Sequence, residues 1–167
     1  MLIALSGLSG VGKTTISRAL ATAIRAVHLR IDSIEQALRT CGVAVEEEGY
    51  VVAYAVAEDN LRLGRTVISD CVNPWPLTRD AWRAAAERAG VAVLEVEIVC
   101  SNRDEHRRRV ESRVADIAGH QLPSWNDAIA RDYRPWDRDH LIVDTAALDE
   151  AAAVRAIISA MRAPGAG

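Results

Sequence analysis

The chain has 167 residues, of which half are hydrophobic and about a quarter are charged, and its formal net charge is −3. These values are typical of one globular domain, and they exclude a disordered chain, a fibrous rod and a disulfide-stapled miniprotein. The acidic balance offers no broad basic surface to nucleic acid, and no apolar run is long enough to cross a membrane. We expect a cytoplasmic protein with no membrane partner, whose three cysteines are reduced, and the sequence leaves a homodimer open.

Short apolar runs alternate with longer segments of helical periodicity, which predicts one α/β domain over residues 1–162 and a flexible tail over residues 163–167. A parallel sheet would lie between two layers of helices. The predicted strands are Leu2–Leu5, Val27–Ile31, Thr66–Ser69, Val91–Val99 and Leu141–Val143. The predicted helices are Thr14–Ile24, Ser33–Arg39, Gly49–Leu63, Pro76–Ala89, Arg103–Ala115, Trp125–Tyr133 and Leu148–Met161, and the predicted N-caps are Ser33, Thr78 and Ser124.

A phosphate-binding loop lies between the first strand and the first helix, where Gly7–Thr14 matches the pattern G-x-x-x-x-G-K-[ST]. Backbone N–H groups of such a loop point at phosphate oxygens, and the helix N-terminus adds its positive dipole. Lys13 would reach the β- and γ-phosphates of ATP, and the Thr14 hydroxyl would ligate Mg²⁺. Lys13 is the only lysine among 20 basic residues. The predicted nucleotide-binding residues are Gly7, Ser9, Gly10, Val11, Gly12, Lys13, Thr14 and Thr15.

Two carboxylates follow the second and third predicted strands, at the sheet edge that would also carry the phosphate loop. Asp32 there could accept a proton from an attacking hydroxyl, although an Asp before Ser33 could equally be a helix cap. Asp70 directly follows an apolar strand, a position at which a carboxylate can hold Mg²⁺ or the substrate. Asp144 also ends a strand, but Asp144 and Thr145 are as well explained by a turn into the last helix.

The segment after the fourth strand is rich in arginine, and Arg109 and Arg113 are four residues apart on the predicted helix. Residues 114–123, which contain Gly119, His120 and Pro123, lack a strong apolar stripe. We expect these residues to form a mobile lid that closes over ATP, while Arg113 places its charge on the migrating phosphoryl group.

The chain has no Phe, so its seven aromatic residues stand out against an aliphatic core. Amphipathic rings near the strand ends are typical of a pocket for a partly apolar substrate. Tyr54, Trp75 and Tyr133 are therefore predicted to contact the substrate together with Asp32 and Asp70. The alternative is that each ring fills a gap between a helix and the sheet.

Taken together, these motifs resemble the small P-loop kinases of the AAA_33 type, which are related to polynucleotide kinase, gluconate kinase, chloramphenicol phosphotransferase and zeta toxin. The resemblance rests on Gly7–Thr14, Asp32, Ile68–Pro74 and Arg109–Arg113. It implies a P-loop NTPase sandwich with strand order 2-3-1-4-5, ATP with Mg²⁺ as donor, Asp32 as base, Arg109 near the adenine and Arg113 on the phosphates. Polynucleotide kinases carry an Arg three residues after the catalytic Asp, whereas this chain has Glu35, so a polynucleotide acceptor is not expected.

The leading hypothesis is a kinase that transfers the γ-phosphoryl group of ATP to a hydroxyl of a small molecule such as a nucleoside, a sugar or an antibiotic. One alternative is a zeta-toxin-like kinase of a nucleotide sugar. Another is a nucleotide-dependent switch or ATPase that transfers no phosphoryl group, although such a protein has little need of a base at Asp32.

Overall fold

The structure is a computed structural model that describes residues 1–162; the predicted tail over residues 163–167 lies outside this range. Five strands alternate with seven helices in the described residues. In chain order the elements are β1 (Leu2–Ser6), α1 (Lys13–Ile24), β2 (Val27–Arg30), α2 (Ile31–Thr40), α3 (Glu48–Arg62), β3 (Val67–Asp70), α4 (Pro76–Arg88), β4 (Val93–Val99), α5 (Arg103–Ser112), α6 (Trp125–Ile129), β5 (Leu141–Asp144) and α7 (Glu150–Ala160).

The sheet has five parallel strands in the order β2-β3-β1-β4-β5, which confirms the expected topology. The strand order reverses beside β1, since β1 pairs with β3 on one side and β4 on the other. Ligands of open parallel sheets bind in the crevice beyond the carboxyl ends of the strands at such a switch point. The loop after β1 is the phosphate loop.

Successive side chains of β1 point to opposite faces of the sheet and belong to two separate cores. Ile3 and Leu5 pack with the apolar faces of α1 and α7. Leu2 and Ala4 pack with those of α3 and α4. All four are almost fully buried, and burial of each large aliphatic side chain contributes about 1.5–3 kcal/mol. The two cores hold the carboxyl end of β1 rigidly between the helical layers, as the predicted three-layer sandwich requires.

The start of α2 differs from the prediction, which placed Asp32 at the end of the second strand and Ser33 at the helix N-cap. β2 ends at Arg30, α2 begins directly at Ile31, and the N-cap is Arg30 without a side-chain cap bond. Asp32 therefore lies in the first helical turn, where a carboxylate is stabilised by the helix dipole. The prediction failed here because no loop residues separate the strand from the helix.

The predicted caps of α4 and α6 have different outcomes. The N-cap of α4 is Trp75, followed by Pro76 at the first helical position, so Thr78 lies inside the helix and the prediction was wrong. Ser124 does cap α6, in a capping box in which its hydroxyl accepts from the Asp127 N–H and the Asp127 carboxylate accepts from the Ser124 N–H.

Helices α5 and α6 are shorter than predicted. α5 ends at Ser112, and Arg113 has extended backbone angles. The prediction that Arg109 and Arg113 lie on one face of a helix was therefore wrong. The helix ends where its buried stripe ends: Val110 is buried, whereas Val114 is 88% exposed. α6 ends at Ile129 instead of Tyr133, because the following segment is held by hydrogen bonds such as Arg134 N to Pro74 O.

No helix among residues 1–162 is both long and apolar enough to span a membrane.

Candidate active site

A cleft of about 440 Å³ opens at the carboxyl ends of the strands, as the sheet topology predicts. Its floor is the phosphate loop, and its walls come from the ends of β2 and β3, the C-terminal half of α5 and the predicted lid. The cleft contains most of the predicted catalytic, nucleotide-binding and metal-binding residues: Ser9, Gly10, Gly12, Lys13, Thr14, Thr15, Asp32, Asp70, Arg109 and Arg113.

Gly7, Gly10 and Gly12 of the phosphate loop all have positive φ values that favour glycine, and the last two lie at the turn into α1. Gly12 is the N-cap of α1 and has a φ of 101°, a left-handed conformation that residues with a Cβ rarely adopt. Gly10 has a φ of 85°, and a Cβ there would overlap the Val110 side chain. The backbone between them can therefore turn its N–H groups toward a bound anion at the start of α1.

Lys13, at the first position of α1, is 8% exposed and donates a hydrogen bond of 2.8 Å to the Leu8 carbonyl. Burial lowers the pKa of Lys13, and the nearby charges of Asp70 and Asp32 partly oppose that shift. The ammonium is thus held against the loop and beside two carboxylates, in the position of a lysine that would bridge phosphate groups.

Two residues that the sequence analysis did not identify hold the phosphate loop from its far side. The Nε2 of His106, on α5, lies 2.8 Å from the Ser9 carbonyl, so this nitrogen carries the proton and donates. The His106 ring in turn meets the Trp125 ring edge-on at 5.1 Å. After β5, the Thr145 Oγ1 lies 2.8 Å from the Val11 carbonyl. The loop therefore has side-chain support at both Ser9 and Val11.

Asp70, at the end of β3, is buried beside α1 and has a fixed set of partners. Ser17 Oγ donates to its Oδ2 over 3.2 Å, and His28 Nε2 lies 3.5 Å from the same oxygen. Burial alone would raise the pKa of Asp70, but His28, the charge of Lys13 and the Thr14 hydroxyl together hold it below its usual value. Asp70 is accordingly an anion next to Thr14.

The donors of Thr14 and Asp70 are hard oxygens of the kind that Mg²⁺ prefers. Within residues 1–162, no group of three His, Cys, Asp or Glu side chains could hold a metal alone. This combination fits an ion bound together with a nucleotide, because Mg²⁺ commonly takes one or two protein ligands and completes its shell with phosphate oxygens and water.

Asp32 faces the same cleft from the first turn of α2. Its carboxylate is 44% exposed, and its neighbours are the Arg30 guanidinium, with Nη2 3.5 Å from Oδ2, and the His120 ring, with Nε2 3.9 Å from Oδ2. Asp32 does not cap its helix, so the capping alternative raised by the sequence does not describe the structure. An exposed carboxylate in the cleft is accessible to a substrate hydroxyl.

The two predicted functional arginines have different environments. Arg109 donates to Glu105, to the Thr145 hydroxyl and to the Thr145 carbonyl, and it lines both the main cleft and a smaller cleft of about 250 Å³ beside α7. Arg113 is half-buried, and its Nε and Nη2 have no hydrogen-bond partner among residues 1–162. Burial lowers the pKa of Arg113. Its guanidinium is therefore available to an anion in the cleft.

Residues 114–123, all within the described range, form no helix or strand, although the predicted helix Arg103–Ala115 included the first two of them. They contact the cleft wall through charged groups: the Oδ2 of Asp116 accepts from Arg18 over 2.5 Å and from Arg30 over 2.8 Å. These two hydrogen bonds hold the pKa of Asp116 well below its usual value. Mobility of this segment stays a prediction.

The three predicted substrate aromatics do not all line one cleft, and none of them lines the main cleft. Tyr54 and Trp75 line a second, mainly apolar cleft of about 360 Å³, which Glu35 also lines. Tyr133 lines neither cleft; its ring lies 5.1 Å from the guanidinium of Arg79, a fully buried residue that donates to backbone carbonyls of both neighbouring loops. Those carbonyls belong to Asn73, Pro74, Arg134 and Pro135.

Asp144 has the turn role that the sequence left open. Its Oδ1 accepts from the backbone N–H groups of Ser101 and Ala146, over 3.0 and 2.9 Å. These bonds hold the pKa of Asp144 below its usual value and fix the turn that carries Thr145.

Comparison with known proteins agrees with this geometry. The family profile described as "AAA domain", AAA_33, matches residues 2–132. The chain belongs to the AAA_33 family. No curated protein matches the sequence at a significant level. The sheet order of this AAA_33 protein is that of the P-loop kinases among its structural neighbours.

Three solved structures illustrate that likeness. A protein from Chloroflexus aurantiacus J-10-fl, described as a kinase, is 25% identical, with a TM-score of 0.74 over 96% of this chain and 95% of that chain. A gluconokinase from Sinorhizobium meliloti 1021 is 21% identical, with a TM-score of 0.64 over 94% and 89%. Kti12 from Chaetomium thermophilum, in complex with ADP-AlF3, is 20% identical, with a TM-score of 0.72 over 96% and 97%. The last two show that the AAA_33 chain shares their fold.

Some residues of the cleft carried a sequence signal that was not used, and others carried none. His106 lies four residues before Val110, so both are on the face of α5 that meets the phosphate loop. Arg30 lies two residues before Asp32 at the end of an apolar strand, a spacing that points to the same sheet edge. Asp116 lies in an irregular segment, and nothing local distinguishes it from other exposed acids.

Proposed function

We propose that this protein is an ATP-dependent phosphotransferase that moves the γ-phosphoryl group of ATP to a hydroxyl of a small molecule. The observation that carries the proposal is the position of Asp32. Its exposed carboxylate lines the same cleft as the phosphate loop and Arg113, whose Nε and Nη2 have no hydrogen-bond partner among residues 1–162. Phosphoryl transfer requires this set of groups: a phosphate cradle, a cation for the migrating group and a carboxylate for the attacking hydroxyl.

Each group has a distinct part in the reaction. The backbone N–H groups of the loop and the Lys13 ammonium bind and orient the β- and γ-phosphates. Arg113 stabilises the negative charge that spreads over the γ-phosphoryl oxygens during transfer. Asp32 accepts the proton of the acceptor hydroxyl and aligns its oxygen with the phosphorus atom.

Thr14 and Asp70 are the residues that would hold Mg²⁺ with the nucleotide. When bound, the ion supplies charge neutralisation on the β- and γ-phosphates. The Ser17 hydroxyl and the His28 ring fix the Asp70 carboxylate beside Thr14 through contacts to the same oxygen of Asp70.

The adenosine moiety of ATP fits the smaller cleft beside the phosphate loop. That cleft lies between Arg109, Thr145 and the start of α7 at Asp149. Because Arg109 lines both clefts, its guanidinium is placed to stack on or bond to a base whose phosphates lie in the loop. This placement agrees with the role that the family resemblance implies for Arg109.

The acceptor would enter from the side of α2. Asp32 lines the main cleft, and Glu35, one turn further along α2, lines the second cleft with Tyr54 and Trp75. The segment after β3 also joins the two, because Val72 lines the first cleft and Pro74 the second. An acceptor whose apolar part lies on the two rings can thus approach Asp32, and nucleosides, sugars and antibiotic-like molecules all fit this description.

The proposal is tested by a screen of hydroxylated metabolites and antibiotics for acceptor-dependent release of ADP. For each acceptor found, Asp32→Asn should lower kcat by roughly 10²–10⁴ while AMPPNP affinity stays within a few-fold, since only the base and its charge are removed. Asp59→Asn removes an equal charge from an exposed site on α3 and should leave both quantities unchanged.

The alternatives give different results in the same assay. ADP release that is independent of any acceptor, and equal in wild type and Asp32→Asn, would contradict the kinase and favour an ATPase or switch. Acceptance of nucleotide sugars alone would favour the zeta-toxin-like reaction, which uses the same groups on a larger acceptor.

A further inference from the structure

The wall of the main cleft on the α2 side carries two arginines that phosphoryl transfer, as described above, does not use. Arg30 is the last residue of β2 and is 9% exposed. Arg18 belongs to α1. Both line the cleft, and both donate to a single oxygen of Asp116 from the lid.

The hydrogen-bonding capacity of Arg30 is only partly used. Its Nη1 donates to Asp116 over 2.8 Å, and its Nη2 lies 3.5 Å from Asp32. Its Nε is buried and has no hydrogen-bond partner within residues 1–162. A buried guanidinium nitrogen without a partner costs free energy, so its retention at the wall of a cleft points to a ligand oxygen as its partner.

Asp116 bridges the two guanidinium groups through one carboxylate oxygen and belongs to a segment without helix or strand. The Asp116 side chain is 40% exposed and the Arg18 side chain is 55% exposed, so water screens the contact between them and weakens it. A carboxylate on an irregular segment is an exchangeable occupant of a two-arginine site. A free oxyanion could replace this carboxylate on the same donors, and the edge of Arg30 formed by Nε and Nη2 offers a further donor to a ligand oxygen.

We propose that Arg18 and Arg30 form the acceptor's anion-binding subsite, which the Asp116 carboxylate fills when no acceptor is bound. The acceptor of the proposed kinase is therefore a hydroxylated compound that carries a carboxylate or a phosphate group. Arginine forks suit both oxyanions, since each presents paired oxygens to the planar guanidinium. The inference that an acceptor occupies this subsite rests on the proposed function. The anion subsite itself can be tested without catalysis.

The position of the subsite also restricts the acceptor. Because Arg30 is in contact distance of Asp32, the reacting hydroxyl and the oxyanion lie close together on the acceptor. Arrival of that oxyanion displaces Asp116 and so frees the lid to close on the ternary complex. Acceptor binding and lid movement are thereby linked through one exchange of carboxylate for ligand.

The first test uses inorganic phosphate as the probe on protein saturated with AMPPNP and Mg²⁺, so that the phosphate loop is already filled. Phosphate affinity, measured by calorimetry, should rise about ten-fold in Asp116→Asn, because the competing carboxylate is gone. Compared with Asp116→Asn, the double variant Asp116→Asn/Arg30→Gln should bind phosphate about ten-fold or more weakly. Asp59→Asn and Arg62→Gln, which change charge on the outer face of α3, should bind phosphate like the wild type.

Two results would overturn the subsite: equal phosphate affinity in wild type and Asp116→Asn, or equal affinity in Asp116→Asn and the double variant. Unchanged AMPPNP binding in every variant shows that each protein is folded and that its phosphate loop is intact. A screen that finds no acceptor would contradict the proposed function, whereas the phosphate titration would still decide the subsite.

The second test uses the acceptors found by ADP release. Arg30→Gln should raise the KM for the acceptor about ten-fold or more, with kcat and the KM for ATP changed much less, because Arg30 binds the acceptor and not the migrating phosphoryl group. Glycerol, glycerate and glycerol 3-phosphate compare neutral, carboxylate and phosphate forms of one polyol as competitors. Inhibition by glycerate alone or by glycerol 3-phosphate alone identifies the oxyanion. Acceptors without any oxyanion, turned over equally by wild type and Arg30→Gln, would refute the proposal.

Discussion

The phosphate loop and the lid face each other across the cleft, but they are held in different ways. The loop is fixed by backbone geometry and by three partly buried hydrogen bonds to its carbonyl groups: Lys13 to Leu8, His106 to Ser9 and Thr145 to Val11. The lid, residues 114–123, is held at Asp116 by side-chain charge, beside water. The loop thus has three separate anchors, whereas one carboxylate oxygen holds the lid, and its contact with Arg18 is exposed to water and therefore weak. The nucleotide side is thus preformed, whereas the acceptor side can rearrange.

The largest effect is expected from the rigid side. Lys13→Ala should lower turnover by orders of magnitude, because the charge on the β- and γ-phosphates is lost. Lys13→Arg should fail as well, since the planar fork is too bulky for a site that encloses the ammonium. Turnover is measured as ADP release and nucleotide affinity as AMPPNP binding. Normal values of both in Lys13→Ala would refute the assignment of the phosphate loop.

The next largest effect lies where the two regions meet, at Arg113. Arg113→Ala should lower kcat by about 10²–10³ with little change in AMPPNP affinity, because its charge is needed most in the transition state. Arg113→Lys should recover only part of the rate, since it offers one point charge instead of a fork. An equal loss of nucleotide affinity and kcat would instead place Arg113 on the ground-state nucleotide.

A smaller effect tests whether the loop depends on its support from α5. His106→Ala removes the donor to Ser9 and the edge-on contact to Trp125, and should cost about 1–3 kcal/mol of unfolding free energy. His106→Gln keeps an N–H donor and should cost less. Chemical denaturation gives the stability, and AMPPNP titration shows whether a less supported loop binds nucleotide more weakly. Unchanged stability in His106→Ala would show that the loop needs no support from α5.

The smallest free-energy difference concerns the lid itself. Amide hydrogen exchange across residues 109–124 should be fast at the lid in the free protein and slower once AMPPNP, Mg²⁺ and an acceptor are bound. Exchange within β1 and the first turns of α1 should be slow throughout. Strong and equal protection of residues 114–123 in both states would show a rigid segment and end the lid assignment.

Much of the fold could be predicted from the sequence because its signals are local. Buried parallel strands are short apolar runs, and Gly7–Thr14 constrains the backbone so strongly that it predicts the loop and the helix after it. Ends of elements were harder, as at Asp32 and Ser112, because packing partners far along the chain decide where a helix stops. In the cleft, Asp32, Asp70 and Arg113 were identifiable by position after a strand or in a motif.

The residues that escaped prediction act through contacts distant in sequence. Asp116 meets Arg30 across 86 residues, and His106 meets Ser9 across 97. Nothing in a window of ten or twenty residues distinguishes such a pair from solvated charges. Tyr133 shows the same limit, because its ring lies 5.1 Å from the guanidinium of Arg79, a residue 54 positions earlier in the chain, and not in the main cleft.

The solitary lysine in the phosphate loop also makes the protein a selective target for covalent labelling. Lys13 provides the only side-chain amine of the chain, and burial lowers its pKa, which increases the unprotonated, nucleophilic fraction near neutral pH. An amine-directed acylating reagent small enough to enter the cleft would therefore modify one lysine side chain, at the base of the cleft. Because bound nucleotide would cover that amine, the extent of acylation reports directly on how much of the protein carries nucleotide.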